Sequence, residues 1–214
     1  MLNKFKLVVF DLDGTLVDSD LALVKVGIEI ARHYRQREGA NIDDYLYLNG
    51  PPLNESLAIL FPHDDIELTR QKYYDLAGTT IDDVSIFKST LLVLESLLAA
   101  GVTLALFTSR HRRAMELILD KYDLNKYFSE IIAGNDGFAP KPSGEALTHI
   151  MERLNFSGKE TLYVGDNWRD VGVARDAGTR IAFIKSHRRK PDETLVVDYE
   201  LKDIKDVLEV VLNE

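Results

Sequence analysis

Cysteine is absent from the 214-residue chain, which removes disulfides, thiolate metal centres and cysteine nucleophiles together. No stretch approaches the ~18 apolar residues that a membrane-spanning helix needs. The amino-terminal run "MLNKFKLVVF" is too short for the hydrophobic region of a secretory leader and leads directly into Asp11 and Asp13. These absences make a soluble cytoplasmic protein the expectation. Positive charge is scarce as well: 26 Lys and Arg stand against 35 Asp and Glu, a net charge of −9. That balance disfavours nucleic acid and anionic membranes as main partners. The five histidines, at positions 33, 63, 111, 149 and 187, show no ligand spacing and read as ordinary surface or core residues. No internal repeat or low-complexity segment is present.

What remains is ordinary globular material, 45% hydrophobic and 29% charged. The length exceeds the ~100–150 residues of a typical domain, so one large domain or a domain with an insertion is expected. Short β-like runs recur at 7–10, 103–108, 130–134, 161–166 and 180–185, with a weaker one at 196–200. Segments 89–101, 114–122 and 143–154 carry apolar residues at helical spacing, and Gly101 stands where a helix cap belongs. Strand alternating with helix predicts an α/β doubly wound parallel sheet. The alternation breaks once. From Asp18 to about Ile86 no strand signal appears and the chain reads as helices, with Leu23, Gly27, Ile30 and Tyr34 on one face of the first. The "NGPP" stretch at 49–52 reads as a turn. Such a block reads as a lid inserted after the first strand.

In open α/β sheets ligands bind outside the carboxyl ends of the strands, so the residues ending each strand matter most. The first ends in Asp11 and Asp13, followed by Gly14; the second in Thr108, Ser109 and Arg110. "EIIAGNDGFAPKP" leads to Lys141, and "TLYVGDNWRD" delivers Asp166 and then Asp170. Turn punctuation accounts for any one of these endings, but strains to account for all four. Carboxylates gathered in one pocket repel one another unless a cation sits among them. With oxygen ligands alone on offer, Mg²⁺ is the expected ion. "RHRR" at 110–113 places cations at an expected helix N-terminus, where solvated surface arginines are the commoner explanation and a bound anion the other. "HRRKPDE" at 187–193 reads as a solvated loop.

Four ordered motifs, "DLDGT", "TS", "KP" and "GDNWRD", span essentially the whole chain. In them the sequence resembles the haloacid dehalogenase-like superfamily, and within it the small phosphatases of the phosphoglycolate phosphatase type. The resemblance implies a Rossmann-like core of residues 1–17 and 87–214 and a helical cap of residues 18–86. It implies that Asp11 is the nucleophile forming an aspartyl-phosphate, and that Asp13 is the general acid and then the general base. Mg²⁺ would be held by Asp11, Asp166 and the backbone carbonyl of Asp13, with Asp170 supporting it directly or through water. Thr108 or Ser109 would hydrogen-bond the phosphoryl group, and Lys141 would offset its developing charge. Lys141 and the metal together answer the net charge: they make a local anion site in an acidic protein.

Two places depart from the family pattern. Asn167 stands in the fourth motif where a Ser is frequent, followed by the unusual Trp168 and Arg169, Trp168 reading equally as packing or as substrate contact. Lys88-Ser89 replaces a frequent Pro-Gly turn. The expected function is Mg²⁺-dependent hydrolysis of a small phosphate ester, with inorganic pyrophosphate as the alternative substrate. A sugar-phosphate mutase, a dehalogenase and a non-catalytic binding protein rank lower, because "DGTL", Asp13 and every expected catalytic residue are present. Monomer and homodimer are both open.

Overall fold

The structure, a computed structural model, describes residues 5–33, 53–185 and 196–212. In chain order its strands are β1 (Leu7–Phe10), β2 (Val17–Asp18), β3 (Ser85–Ile86), β4 (Thr103–Phe107), β5 (Glu130–Ile132), β6 (Thr161–Gly165), β7 (Arg180–Ile184) and β8 (Tyr199–Leu201). The helices are α1 (Asp20–His33), α2 (Leu53–Leu60), α3 (Ile66–Ala77), α4 (Thr90–Ala99), α5 (Arg112–Lys121), α6 (Glu145–Leu154), α7 (Trp168–Asp176) and α8 (Val207–Leu212).

β1 is apolar throughout because both of its faces are covered. Leu7 and Val9 point into one core with residues of α6 and α7. Val8 and Phe10 point into the other with residues of α4, α5 and α8. Full burial of each such side chain contributes about 1.5–3 kcal/mol. The sheet runs β5-β4-β1-β6-β7-β8, every pairing parallel. Phe10 aligns with Leu106 of β4 and Val164 of β6, so the three strands end level. The chain leaves β1 toward both sides, and that reversal opens a crevice at its carboxyl end. This is the expected α/β, Rossmann-like doubly wound core. Gly101, at φ +78°, follows α4 as expected.

The helices α1, α2 and α3 form the inserted cap, with an apolar cluster of their own that includes Val24, Ile30, Leu57, Leu60 and Phe61. Asp65 caps α3 by accepting from the Glu67 and Leu68 amides at 2.9 and 3.1 Å. The segment read as strand-free in fact begins and ends on a short antiparallel pair, β2 with β3. Two-residue strands carry no readable periodicity, which is why the sequence pattern passes over them. This pair is tied down at several points. The Thr90 hydroxyl donates to the Leu16 carbonyl at 2.8 Å, and the Tyr122 hydroxyl donates to that of Val84 at 2.6 Å. The weak strand expected at 196–200 lies later, at β8. Leu23, Gly27 and Ile30 are buried together as expected. Tyr34, the 49–52 turn and the 187–193 loop lie outside the described residues. Among the described residues no helix is long and apolar enough to cross a membrane.

Candidate active site

Asp11 extends β1 by one ladder hydrogen bond, its amide donating to the Val164 carbonyl at 2.8 Å. The chain then turns sharply, the Leu12 carbonyl accepting from the amides of Leu16 and Val17. Gly14 sits in this turn at φ +84°, and a Cβ there would lie 2.2 Å from Asp166 Oδ2. The glycine of "DG" is therefore required by the close approach of a carboxylate as well as by the turn.

Asp166 follows β6, and Asp170 lies in the first turn of α7. Asn167 caps that helix: its side-chain oxygen accepts from the Arg169 amide at 3.1 Å, and its own amide donates to Asp170 Oδ2 at 3.0 Å. Lys141 reaches in from the loop before α6. Its Nζ donates to Asp11 Oδ1 at 2.7 Å and to Asp170 Oδ1 at 2.8 Å, with 3% of its side chain exposed. The rings of Phe107 and Tyr163 flank the ammonium, with centroids 4.9 and 5.4 Å away. The Tyr163 hydroxyl in turn donates to the Phe107 carbonyl at 3.1 Å. Nothing in "TLYVGD" beyond strand character announces that role for Tyr163.

Asp11, Asp166 and Asp170 each offer an oxygen within 4.8 Å of one another, and all three are buried. Burial pushes the Asp11 carboxyl up to about 7, with Asp170 and Asp13 adding to the rise and Lys141 opposing it. Burial alone would lower the Lys141 ammonium, but the charges of Asp11 and Asp170 outweigh it and hold the pKa well above the ordinary lysine value. Three carboxylates around one ammonium leave negative charge uncompensated, and the donors are all oxygen. The set fits a hard divalent cation. The Asp13 side chain stands outside this cluster, so any contribution to a metal would come from its backbone.

Asp13 is held elsewhere. Arg110 Nε donates to its two oxygens at 3.2 and 2.9 Å, and Arg110 Nη2 to Oδ1 at 2.5 Å. Burial would raise the Asp13 carboxyl, but the Arg110 charge and hydrogen bonds, helped by the Ser19 hydroxyl, hold it below its ordinary value. The surface reading of "RHRR" is therefore corrected for Arg110, whose side chain is 9% exposed. The helix begins only at Arg112, which relieves its conflict with the macrodipole by pairing with Asp136.

Two adjoining cavities follow. The smaller, about 50 Å³, is lined by Asp11, Asp13, Thr108, Ser109, Lys141, Asp166 and Asp170, with Asn167 and Arg169. All seven side chains singled out in the sequence meet there. Thr108 Oγ1 also accepts from the Arg110 amide at 3.1 Å, which shapes the loop. The larger cavity, about 110 Å³, shares Asp13 and Ser109 and extends beneath the cap to Tyr73 and Tyr74 of α3. His111, read as an ordinary residue, lines it and packs on Tyr74 with ring centroids 4.7 Å apart. Trp168 is 47% exposed and lines neither cavity.

Comparison with known proteins agrees with this architecture. Residues 8–184 match the family model of haloacid dehalogenase-like hydrolases. A phosphoglycolate phosphatase of Vibrio cholerae is 31% identical over 228 residues, covering 99% of each chain. A pyrophosphatase, PpaX, of Oceanobacillus iheyensis is 27% identical over 213 residues, covering 97% of each. A haloacid dehalogenase-like hydrolase from Bacteroides fragilis superposes with a TM-score of 0.88 at 26% identity, over 95% of this chain and 100% of its own. The chain belongs to the haloacid dehalogenase-like hydrolase family and is one of its phosphohydrolases.

Proposed function

We propose that this protein hydrolyses a small phosphate monoester through an aspartyl-phosphate on Asp11, with Mg²⁺ as its metal. The observation that carries this reading is the buried cluster of Asp11, Lys141, Asp166 and Asp170 at the end of β1, with Asp13 two residues beyond the nucleophile. Asp11, Asp166 and Asp170 would hold the Mg²⁺ together with the Asp13 carbonyl. When bound, the ion offsets the charge of the phosphoryl oxygens and keeps the Asp11 carboxylate ionised.

The remaining steps belong to the chain's own groups. Asp11 attacks phosphorus and the ester bond breaks, so one hydrolysis becomes two easier displacements. Thr108 and Ser109 orient the phosphoryl oxygens, and Lys141, locked between two carboxylates and two rings, offsets the charge that develops on them. Asp13, protonated once the Arg110 grip is released, delivers that proton to the departing oxygen and, now a carboxylate, takes one from the water that cleaves the aspartyl-phosphate. Both Asp13 oxygens are engaged by Arg110 in this arrangement, so that grip loosens when Asp13 meets the leaving oxygen. Residues 18–86 act as a cap that closes over Asp11 and excludes water. Phosphoglycolate and pyrophosphate lead the candidate substrates, because relatives carrying each activity match over almost the full chain.

The test is a turnover screen over phosphate esters and pyrophosphate, with Mg²⁺ and with excess chelator. A fluoride mimic of the phosphoryl group should then be trapped on Asp11. Full turnover in chelator would overturn the metal assignment. A covalent intermediate mapped to another residue, or direct attack by water, would overturn the mechanism.

A further inference from the structure

The cluster proposed for metal and phosphoryl group fills the smaller cavity and leaves the larger one without a task. Asp13 and Ser109 line both, so a substrate whose phosphorus lies near Asp11 extends its leaving group into the larger cavity. Arg110 and Arg169 are the cations in its wall, Arg169 reaching into both cavities, and Asp13 is the single carboxylate among its described lining residues. Arg110 presents a rigid planar fork, the geometry that matches a carboxylate or a phosphate with two parallel hydrogen bonds. In this structure that fork is spent on Asp13.

The two demands on Asp13 conflict. Its oxygens cannot stay engaged by Arg110 and also serve the leaving oxygen. If Asp13 turns to the substrate, a nearly buried guanidinium loses its counter-charge, which is costly. A second anion arriving with the substrate removes that cost by taking the fork as Asp13 leaves it. We infer that Arg110 is a specificity-determining residue that binds an anionic group on the leaving group. The larger cavity then takes substrates in which a carboxylate or a second phosphate lies a short reach beyond the scissile oxygen. This inference rests on the phosphohydrolase reading above and adds that a core residue, not the cap alone, selects the substrate.

The experiment compares kcat/KM with Mg²⁺ for phosphoglycolate, pyrophosphate and ethyl phosphate, whose tails are a carboxylate, a phosphate and a neutral alkyl group. The wild-type protein should favour one or both anionic substrates over ethyl phosphate by about tenfold or more, the worth of a charged hydrogen bond. The first two arms tell a carboxylate site from a phosphate site. Arg110→Gln should collapse that ratio toward unity, and Arg110→Lys, which keeps the charge but not the fork, should give an intermediate ratio. If Arg110→Gln lowers all three substrates by the same factor, Arg110 serves Asp13 alone and the inference fails. Should Arg110→Gln not fold, as judged by circular dichroism, the wild-type series decides: turnover without preference for an anionic tail overturns the inference. Absence of turnover on phosphoglycolate and pyrophosphate while other esters of the broader panel are hydrolysed overturns the inference alone, whereas absence of turnover over the whole panel overturns the proposed function.

Discussion

Asp11 is held between opposing influences: burial and two neighbouring carboxylates raise its pKa to about 7, while Lys141 pulls it down. Replacing it with Asn removes the proposed nucleophile and one of the crowded charges at once. Asp11→Asn should therefore abolish turnover while leaving the far-ultraviolet circular dichroism unchanged. In chelator at pH 8 its melting temperature should be no lower than that of the wild type, because the variant has no buried carboxylate to ionise. A clear loss of stability there would mean that the Asp11–Lys141 pair stabilises the fold and that the crowding is relieved by other means. Lys141 makes the complementary case. Lys141→Ala should cost on the order of 3 kcal/mol in kcat/KM, by analogy with removing one oxyanion donor. The loss should be alike for every ester, since all share the phosphoryl group; a substrate-selective defect would place Lys141 on the leaving group. Asp11, Asp13, Lys141, Asp166 and Asp170 were all legible in the sequence, because each ends or follows a strand of a parallel sheet. Arg110 was not. A cation beside two others reads as surface, and only the fold shows that Asp13 draws it inward.

Among the elements, the central strands were readable because double burial demands an unbroken apolar run, as in Leu7–Phe10. The β2–β3 pair escaped because its stability comes from tertiary ties such as Thr90 to Leu16 and Tyr122 to Val84. These ties fasten the base of the cap to the core. The cap's own contribution to the site is α3, which brings Tyr73 and Tyr74 over the larger cavity. Burial raises the Tyr73 hydroxyl to about 12, so it stays neutral throughout the working range. No pattern in "RQKYYD" says which tyrosine faces the core, since adjacent positions on a helix point about a quarter-turn apart. If α3 reads the leaving group, Tyr73→Ala and Tyr74→Ala should shift relative kcat/KM among esters by about tenfold. Phosphorylation of Asp11 by acetyl phosphate, a minimal donor, should change less. Equal losses across the panel would instead assign α3 to closure alone.

Over the whole molecule, a net charge of −9 makes the proposed cation a matter of stability as well as of chemistry. Two groups give opposite dependences on pH. Glu160 is held down to about 2 by hydrogen bonds from Lys6 and Ser157. Its contribution is fully present above the ordinary glutamate range and disappears as pH falls through about 2. Asp11 has the reverse sign. Its folded-state pKa lies above the unfolded value, so the folded protein binds the proton more tightly, and without metal this group lowers stability progressively from the ordinary carboxylate range up to about 7. A divalent cation held between Asp11, Asp166 and Asp170, as proposed, would cancel that loss and would compete with the proton on Asp11. Thermal melts at pH 5 and pH 8, with MgCl₂ and with chelator, separate these effects. The Mg²⁺-induced rise in melting temperature should be larger at pH 8, where Asp11 is free to ligate, than at pH 5, where a proton must first be displaced. The difference between metal and chelator at one pH cancels every titration remote from the site, so it reports the cluster alone. An equal rise at both pH values, or none at either, would mean that no cation binds through the Asp11 carboxylate, and the negative field of the cluster would then have to be relieved without metal.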